Sequence, residues 1–278
     1  MLAEILLRSL QLSGESQDKG LKEVFDKKYM IPLDFDLIAT HAPLYKFPIQ
    51  EDIIFEISLA PKEDIIVADV IANMSYKLEN ICMEYETVTD KTIASQLTAN
   101  YNSGFSFFYD YVDLSKTVNV LANDTLINEN MNFPRRSIKG ILLLFVSNYA
   151  DGKRDSEKFE NPEITNVKVT IEGVANKVFA EGMRTMDQWK EAQRFFMNEH
   201  MKTTHDSFMT MEKFYTDNKF GLWLDLRTTH DNTLHGSGKT LTNTKDGIQL
   251  AITKKSGKGP YKMYIYVVSD AQVNSISS

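Results

Sequence analysis

The feature that most constrains this chain is a series of strand-like segments that do not alternate with helices. Residues 138–146, Ile-Lys-Gly-Ile-Leu-Leu-Leu-Phe-Val, carry apolar side chains on both faces of an extended chain and read as a buried strand. Val167, Val169 and Ile171 alternate with Lys168 and Thr170, the period of a half-buried strand. Leu33, Phe35 and Leu37 alternate with Asp34 and Asp36, and Pro32 places that segment at an edge or a strand start. Residues 53–59, 75–87, 105–112, 220–226, 248–252 and 263–268 read likewise, giving at least eight candidates, most of them after residue 74. Residues 65–70 are a further candidate. Two segments read as helix: 90–99, and 179–199 with Met183, Met186, Trp189, Phe195 and Phe196 at mixed three- and four-residue spacings. Gly182 weakens the start of the second. A doubly wound parallel sheet requires strands and helices in regular alternation, which this order does not provide.

The expected class is therefore all-β, a jelly-roll β-sandwich with short helical insertions, because many short strands on long irregular connections suit that architecture. The 278 residues suffice for one large β domain or two modest ones. Twelve Tyr and sixteen Phe against two Trp fit pleated surfaces. Residues 1–28 read as an extension holding an apolar start, a Ser-Gly-Glu-Ser-Gln-Asp turn and a helical turn or two. A boundary falls at 60–73, where Pro61 and the charges at 62–64 break the pattern. No long Gly/Ser linker separates the units, so they are expected to pack rigidly.

The net charge of −7 argues against general nucleic-acid binding, which usually relies on a basic face. A local basic stretch stands apart: Lys254-Lys-Ser-Gly-Lys-Gly-Pro-Tyr-Lys262, expected to be a solvated hairpin loop, or alternatively a contact for an acidic neighbour or packaged nucleic acid. The one cysteine, Cys82, forms no internal disulfide; it lies in an apolar strand-like run and is expected to be a buried free thiol. Stability must then come from packing, in a reducing compartment. Residues 1–8 carry Glu4 and Arg8 and lack the pattern of a signal peptide, and no window approaches the apolar run of a membrane span.

No pattern of catalytic chemistry rises above background. Gly236-Ser-Gly-Lys-Thr240 imitates the end of a phosphate-binding loop, but Thr233 stands where the first glycine should be, and the turn-rich 241–247 is no helix. It reads as a glycine-rich turn between strands. His200 and His205, like His230 and His235, are five apart, the wrong spacing for a zinc pair on one helix face, although the second pair shares a loop with Asp231 near Asp225. Glu84 and Glu86 share a strand face but have no pocket that the sequence identifies. No Gly-x-Ser-x-Gly elbow is present. No catalytic, cofactor-binding or metal-ligating residue is assigned, and no cofactor is expected.

Several segments together resemble one family, the double-jelly-roll major capsid proteins of Polinton (Maverick) elements and adintoviruses, which includes capsid-like copies integrated in animal genomes. They are Ile31-Pro-Leu-Asp-Phe-Asp-Leu37, Tyr76-Lys-Leu-Glu-Asn-Ile-Cys-Met-Glu-Tyr-Glu86 and Pro134-Arg-Arg-Ser-Ile-Lys-Gly-Ile-Leu-Leu-Leu-Phe145. Most telling is Leu222-Trp-Leu-Asp-Leu-Arg227, followed by Leu234-His-Gly-Ser-Gly238 and Asn243-Thr-Lys-Asp-Gly247, with Val267-Val-Ser-Asp-Ala-Gln272 as a closing strand. The resemblance spans roughly 29–275 and implies a capsid subunit whose three copies form a homotrimer of pseudo-hexagonal outline. On this mapping 29–73 is a remnant of the first jelly roll with its connector, and 74–278 is the second, nearly complete. Only 28 residues precede Tyr29, too few for the missing strands, so an N-terminally truncated or integrated copy is expected. Its expected partners are itself and neighbouring capsid subunits. The expected place is the virion if the chain is viral, otherwise the cell interior.

In such a subunit the helix 179–199 and the loops 147–162 and 200–218 are the expected interfacial insertions. Trp189 and Trp223 are candidate anchors, Trp223 more naturally core. Two other classes remain open: a β-sandwich binding module for carbohydrate or protein, with an exposed aromatic platform, and a cupin-type enzyme, which would need clustered histidines.

Overall fold

The strand patterns fold into two four-stranded antiparallel sheets. The computed structural model describes residues 58–59, 61–66, 72–77, 81–82, 89–102, 106–132, 137–148, 158–176, 179, 181–196, 210–228, 238–241 and 247–274. Eight strands lie among them: β1 Ser106–Val120, β2 Leu126–Met131, β3 Ile138–Ser147, β4 Ile164–Ile171, β5 Val174–Ala175, β6 Leu222–Asp225, β7 Ile248–Lys254 and β8 Tyr261–Asn274. Four helices accompany them: α1 Lys62–Ile65, α2 Lys91–Asn102, α3 Thr185–Phe196 and α4 Met211–Thr216.

The strand order identifies the architecture. One sheet runs β1-β8-β3-β6 and the other β2-β7-β4-β5. First pairs with last throughout: β1 with β8, β2 with β7, β3 with β6 and β4 with β5. This is one long antiparallel ribbon, folded so that β3 meets β8 and β4 meets β7. Two sheets wound from eight strands in this order form a jelly roll. The chain is an all-β sandwich, as its patterning predicts.

The two sheets differ in burial, and the difference follows from sequence. In β7, Ile248, Leu250 and Ile252 point into the core, while Gln249 is exposed between them. β4 likewise buries Ile164, Val167, Val169 and Ile171. This alternation leaves the outer face of the β2-β7-β4-β5 sheet toward solvent. In β3 every residue from Ile138 to Val146 is buried. Ile141, Leu143 and Phe145 join the core between the sheets, whereas Leu142, Leu144 and Val146 join a second apolar cluster with Trp223, Tyr266, Val268 and Phe159. The β1-β8-β3-β6 sheet is thus apolar on both faces.

Gly140 and Gly238 owe their identity to close approach. A Cβ on Gly140 would stand 2.3 Å from the Trp223 ring and 2.6 Å from the Leu224 carbonyl oxygen. One on Gly238 would stand 2.7 Å from backbone atoms of Ile138. Gly238 lets Lys239 pair with Ile138 in an antiparallel bridge, with both backbone bonds at 2.8 Å. The loop that imitates a phosphate site therefore lies against β3, and no helix begins at Lys239, Thr240 or Leu241.

Some expectations are corrected. Helix α3 starts at Thr185 rather than 179, because Phe179 is a buried turn residue and Gly182 has a φ of 86°. The Arg184 N–H donates to Asp187, which caps the true start. Helix α2 follows Asp90, whose carboxylate accepts from the backbone N–H groups of Thr92 and Ile93. Ile65 ends a helical turn, and residues 67–70 of the strand candidate 65–70 lie outside the described residues. Cys82 is exposed, not buried. Its neighbour Ile81 is also exposed, and neither of these two residues lies in a strand. The expected strand at 75–87 has no regular structure at 75–77 and 81–82, and its remainder lies outside the described residues. Residues 30–37 and 53–57 also lie outside them.

Candidate assembly surfaces

The sandwich leaves four strands at sheet edges. β1 and β2 edge their two sheets on one flank, β6 and β5 on the other. Edge strands carry unpaired backbone groups and need protection or a partner. On the first flank, Lys116 of β1 bonds Glu129 of β2 at 2.5 Å, tying the two sheets together. The register shifts between Leu114 and Lys116, and Lys116 reaches Glu129 from the solvent side. Such a bulge moves the following side chains to the opposite face. Around it Tyr111, Leu114, Leu121 and Leu126 are exposed.

The opposite flank carries the long β5–β6 connection, which holds α3 and α4. Trp189 of α3 is half-buried against the core, so it anchors the helix rather than projecting from it. Gln188, fully buried, donates to the Ile164 carbonyl of β4 at 3.1 Å. Tyr215 of α4 donates to the Thr185 carbonyl, and burial pushes its phenol up to about 12. Phe214 packs at 5.0 Å between ring centroids on Phe220. These contacts hold the insertion firmly, and they leave Val174, Met186 and Met211 exposed. Among the described residues of the sandwich and its insertions, the exposed large hydrophobic side chains fall on edge strands and connections, never on β3, β4, β7 or β8. Trp223, by contrast, is core.

A charged cluster closes one end of the β1-β8-β3-β6 sheet. Lys139 is buried and bonds Asp110 at 2.5 Å and Asp270 at 3.0 Å. Burial alone would lower its ammonium, but the two carboxylates outweigh that and hold it above its ordinary value. Ser137 donates to Asp270 at 2.5 Å and accepts from the Gly238 N–H at 3.1 Å. Arg227 forms a fork on Asp225 at 2.9 and 2.6 Å, and its charge is also felt by Asp110 and Glu191. Sequence reading missed this group, since only the register of three strands brings it together.

The basic stretch forms the β7–β8 turn, with one correction. Lys254 is buried, its ammonium donating to the carbonyls of Ala122, Lys255 and Lys258, and burial lowers it. It fastens this turn to the β1–β2 turn. Lys255 and Lys258 are exposed but bond Glu163 at 3.1 and 3.2 Å. Those bonds hold the Glu163 carboxyl below its ordinary value. Its contribution to stability is therefore present above the ordinary glutamate range and is lost as pH falls through the lowered folded value. Glu163→Gln should cost a little at neutral pH and nothing in strong acid. Denaturation midpoints of both proteins across that range check this, and the effect is small because both lysines stand in solvent.

Among the described residues no group of three or more His, Cys, Asp or Glu is placed to hold a metal ion. No helix among them is long and apolar enough to cross a membrane. His200, His205, His230, His235, Asp231, Glu84 and Glu86 lie outside the described residues.

No family model matches the chain, and no curated protein matches it significantly. Solved structures to which the chain is similar include VP54 of PBCV-1 fitted into a cryo-EM reconstruction of the virophage Sputnik, at 7% identity and a TM-score of 0.43. A quasi-atomic model of the PBCV-1 virus capsid gives 7% identity and a TM-score of 0.41. Each alignment covers 68% of this chain and 52% of the other, so the chain spans about half the length of those structures.

Proposed function

We propose that this chain is a structural capsid subunit, without catalysis, of the double-jelly-roll type that its sequence motifs resemble. The strand order carries the reading. The resemblance requires a jelly roll within 74–278, and β1-β8-β3-β6 over β2-β7-β4-β5 is a jelly roll in that interval. On this reading 74–278 is the second roll and 29–73 the remnant of the first. The subunits associate as homotrimers of the Polinton type and meet neighbouring capsid subunits in the virion.

The surface chemistry suits that role. Single exposed apolar residues are ordinary on any protein. Among the described residues of the sandwich they occupy edge strands, a turn and insertions and spare the four central strands, which suits lateral packing of copies. Electron microscopy of the purified chain provides the test. Threefold particles of pseudo-hexagonal outline are expected. Uniform single sandwiches that bind a soluble glycan would replace this reading with a carbohydrate-binding module.

A further inference from the structure

We propose that Lys139 and Asp270 join in an intramolecular isopeptide bond that cross-links β3 to β8, with Asp110 carrying the proton. The argument begins with register. Asp110 of β1 lies opposite Asp270 of β8, and the neighbouring pair Val112 and Val268 belongs to the second apolar cluster. Side chains two apart share a strand face, so both carboxylates emerge at the end of that cluster. On β3 the register shifts between Ile138 and Gly140. Ile138 faces the inner core while Gly140 faces Trp223, and Lys139 is the extra residue between them. A bulge re-aims its residue, and this one delivers a lysine to two aspartates.

The roles follow from the surroundings. The side chains of Lys139 and Asp270 are only 6% and 5% exposed, whereas that of Asp110 is 26% exposed. Asp270 is the electrophile: the Ser137 hydroxyl donates to its Oδ2 and Lys139 approaches its Oδ1. Asp110, at 2.5 Å from Nζ and the more exposed of the two carboxylates, is the one that takes a proton from the ammonium. The freed amine attacks Cγ of Asp270, the Nζ–Cγ bond forms, and the Cγ–Oδ bond breaks. The departing oxygen takes two protons from nitrogen, one of them by way of Asp110, and leaves as water. No oxidant, metal or co-reactant is consumed. Burial favours the step, since it converts two ions in an apolar site into a neutral amide, and fixed placement of the reacting groups removes the entropic barrier of bringing them together.

Intact mass of the full chain in denaturant decides the matter. The expected mass is short of the sequence mass by one water, and proteolysis should release a branched peptide joining Lys139 to Asp270. Lys139→Arg, which keeps the charge, should have its full sequence mass. Asp110→Asn should also remain uncondensed, with folding of both variants checked by circular dichroism. A folded wild-type chain at its full sequence mass overturns the proposal, even if neither variant folds. A branch from Lys139 to Asp110 overturns the assignment of roles.

Discussion

Phe145→Ala is expected to cost about 3–5 kcal/mol of stability, the range for emptying a large buried aromatic site. For a sandwich of this size that lowers Tm on the order of 10 °C. The reason is position. Phe145 lies near the end of β3, fully buried, with ring centroids 6.2 Å from Phe220 and 6.5 Å from Tyr261. Phe220 in turn packs on Phe214 of α4. One ring thus couples the central strand, the closing strand and the β5–β6 insertion, and little around it can collapse into the cavity. Chemical denaturation checks the value. Leu121→Ala, at an exposed site, should change stability by less than about 0.5 kcal/mol in the same assay.

Gly140→Val should cost about 3 kcal/mol, near the upper end of what overpacking usually costs. The added Cβ meets two obstacles of different kinds. The Trp223 ring at 2.3 Å is a side chain, but the Leu224 carbonyl at 2.6 Å is backbone, in the strand paired to Gly140 through Asp225. Relief of the first leaves the second. Combining Gly140→Val with Trp223→Leu should therefore recover only part of the loss, a non-additive outcome that a double-mutant cycle measures. Full recovery would mean that the ring alone requires glycine.

How much of this is legible in the sequence depends on where each strand sits. β3 is readable because its nine consecutive buried residues include the unbroken apolar run from Ile141 to Val146. β4 and β7 are readable because one buried face enforces alternation. β2 is not, since Leu126-Ile-Asn-Glu-Asn-Met131 places Glu129 where a buried apolar residue would be expected, and that charge is met by Lys116 of the other sheet. β1 extends eight residues beyond the expected end at 112, because its bulge breaks the period at Ser115. β5 has two exposed residues and no pattern to detect. The flanks were legible only as insertions. Trp189 reads as an anchor, but its burial against the core shows that it anchors the helix to the sandwich. The Lys139 cluster has no local signature at all: Asp110, Lys139 and Asp270 are far apart in sequence and meet only through strand register and a bulge.

The proposed function has this sandwich associate in threes. Native mass of the full chain in solution tests it most directly. A species three times the chain mass is predicted, one that Leu114→Glu or Leu126→Glu, at exposed edge positions, weakens without unfolding the subunit. A monodisperse folded monomer at high concentration, unchanged by either substitution, would contradict the account.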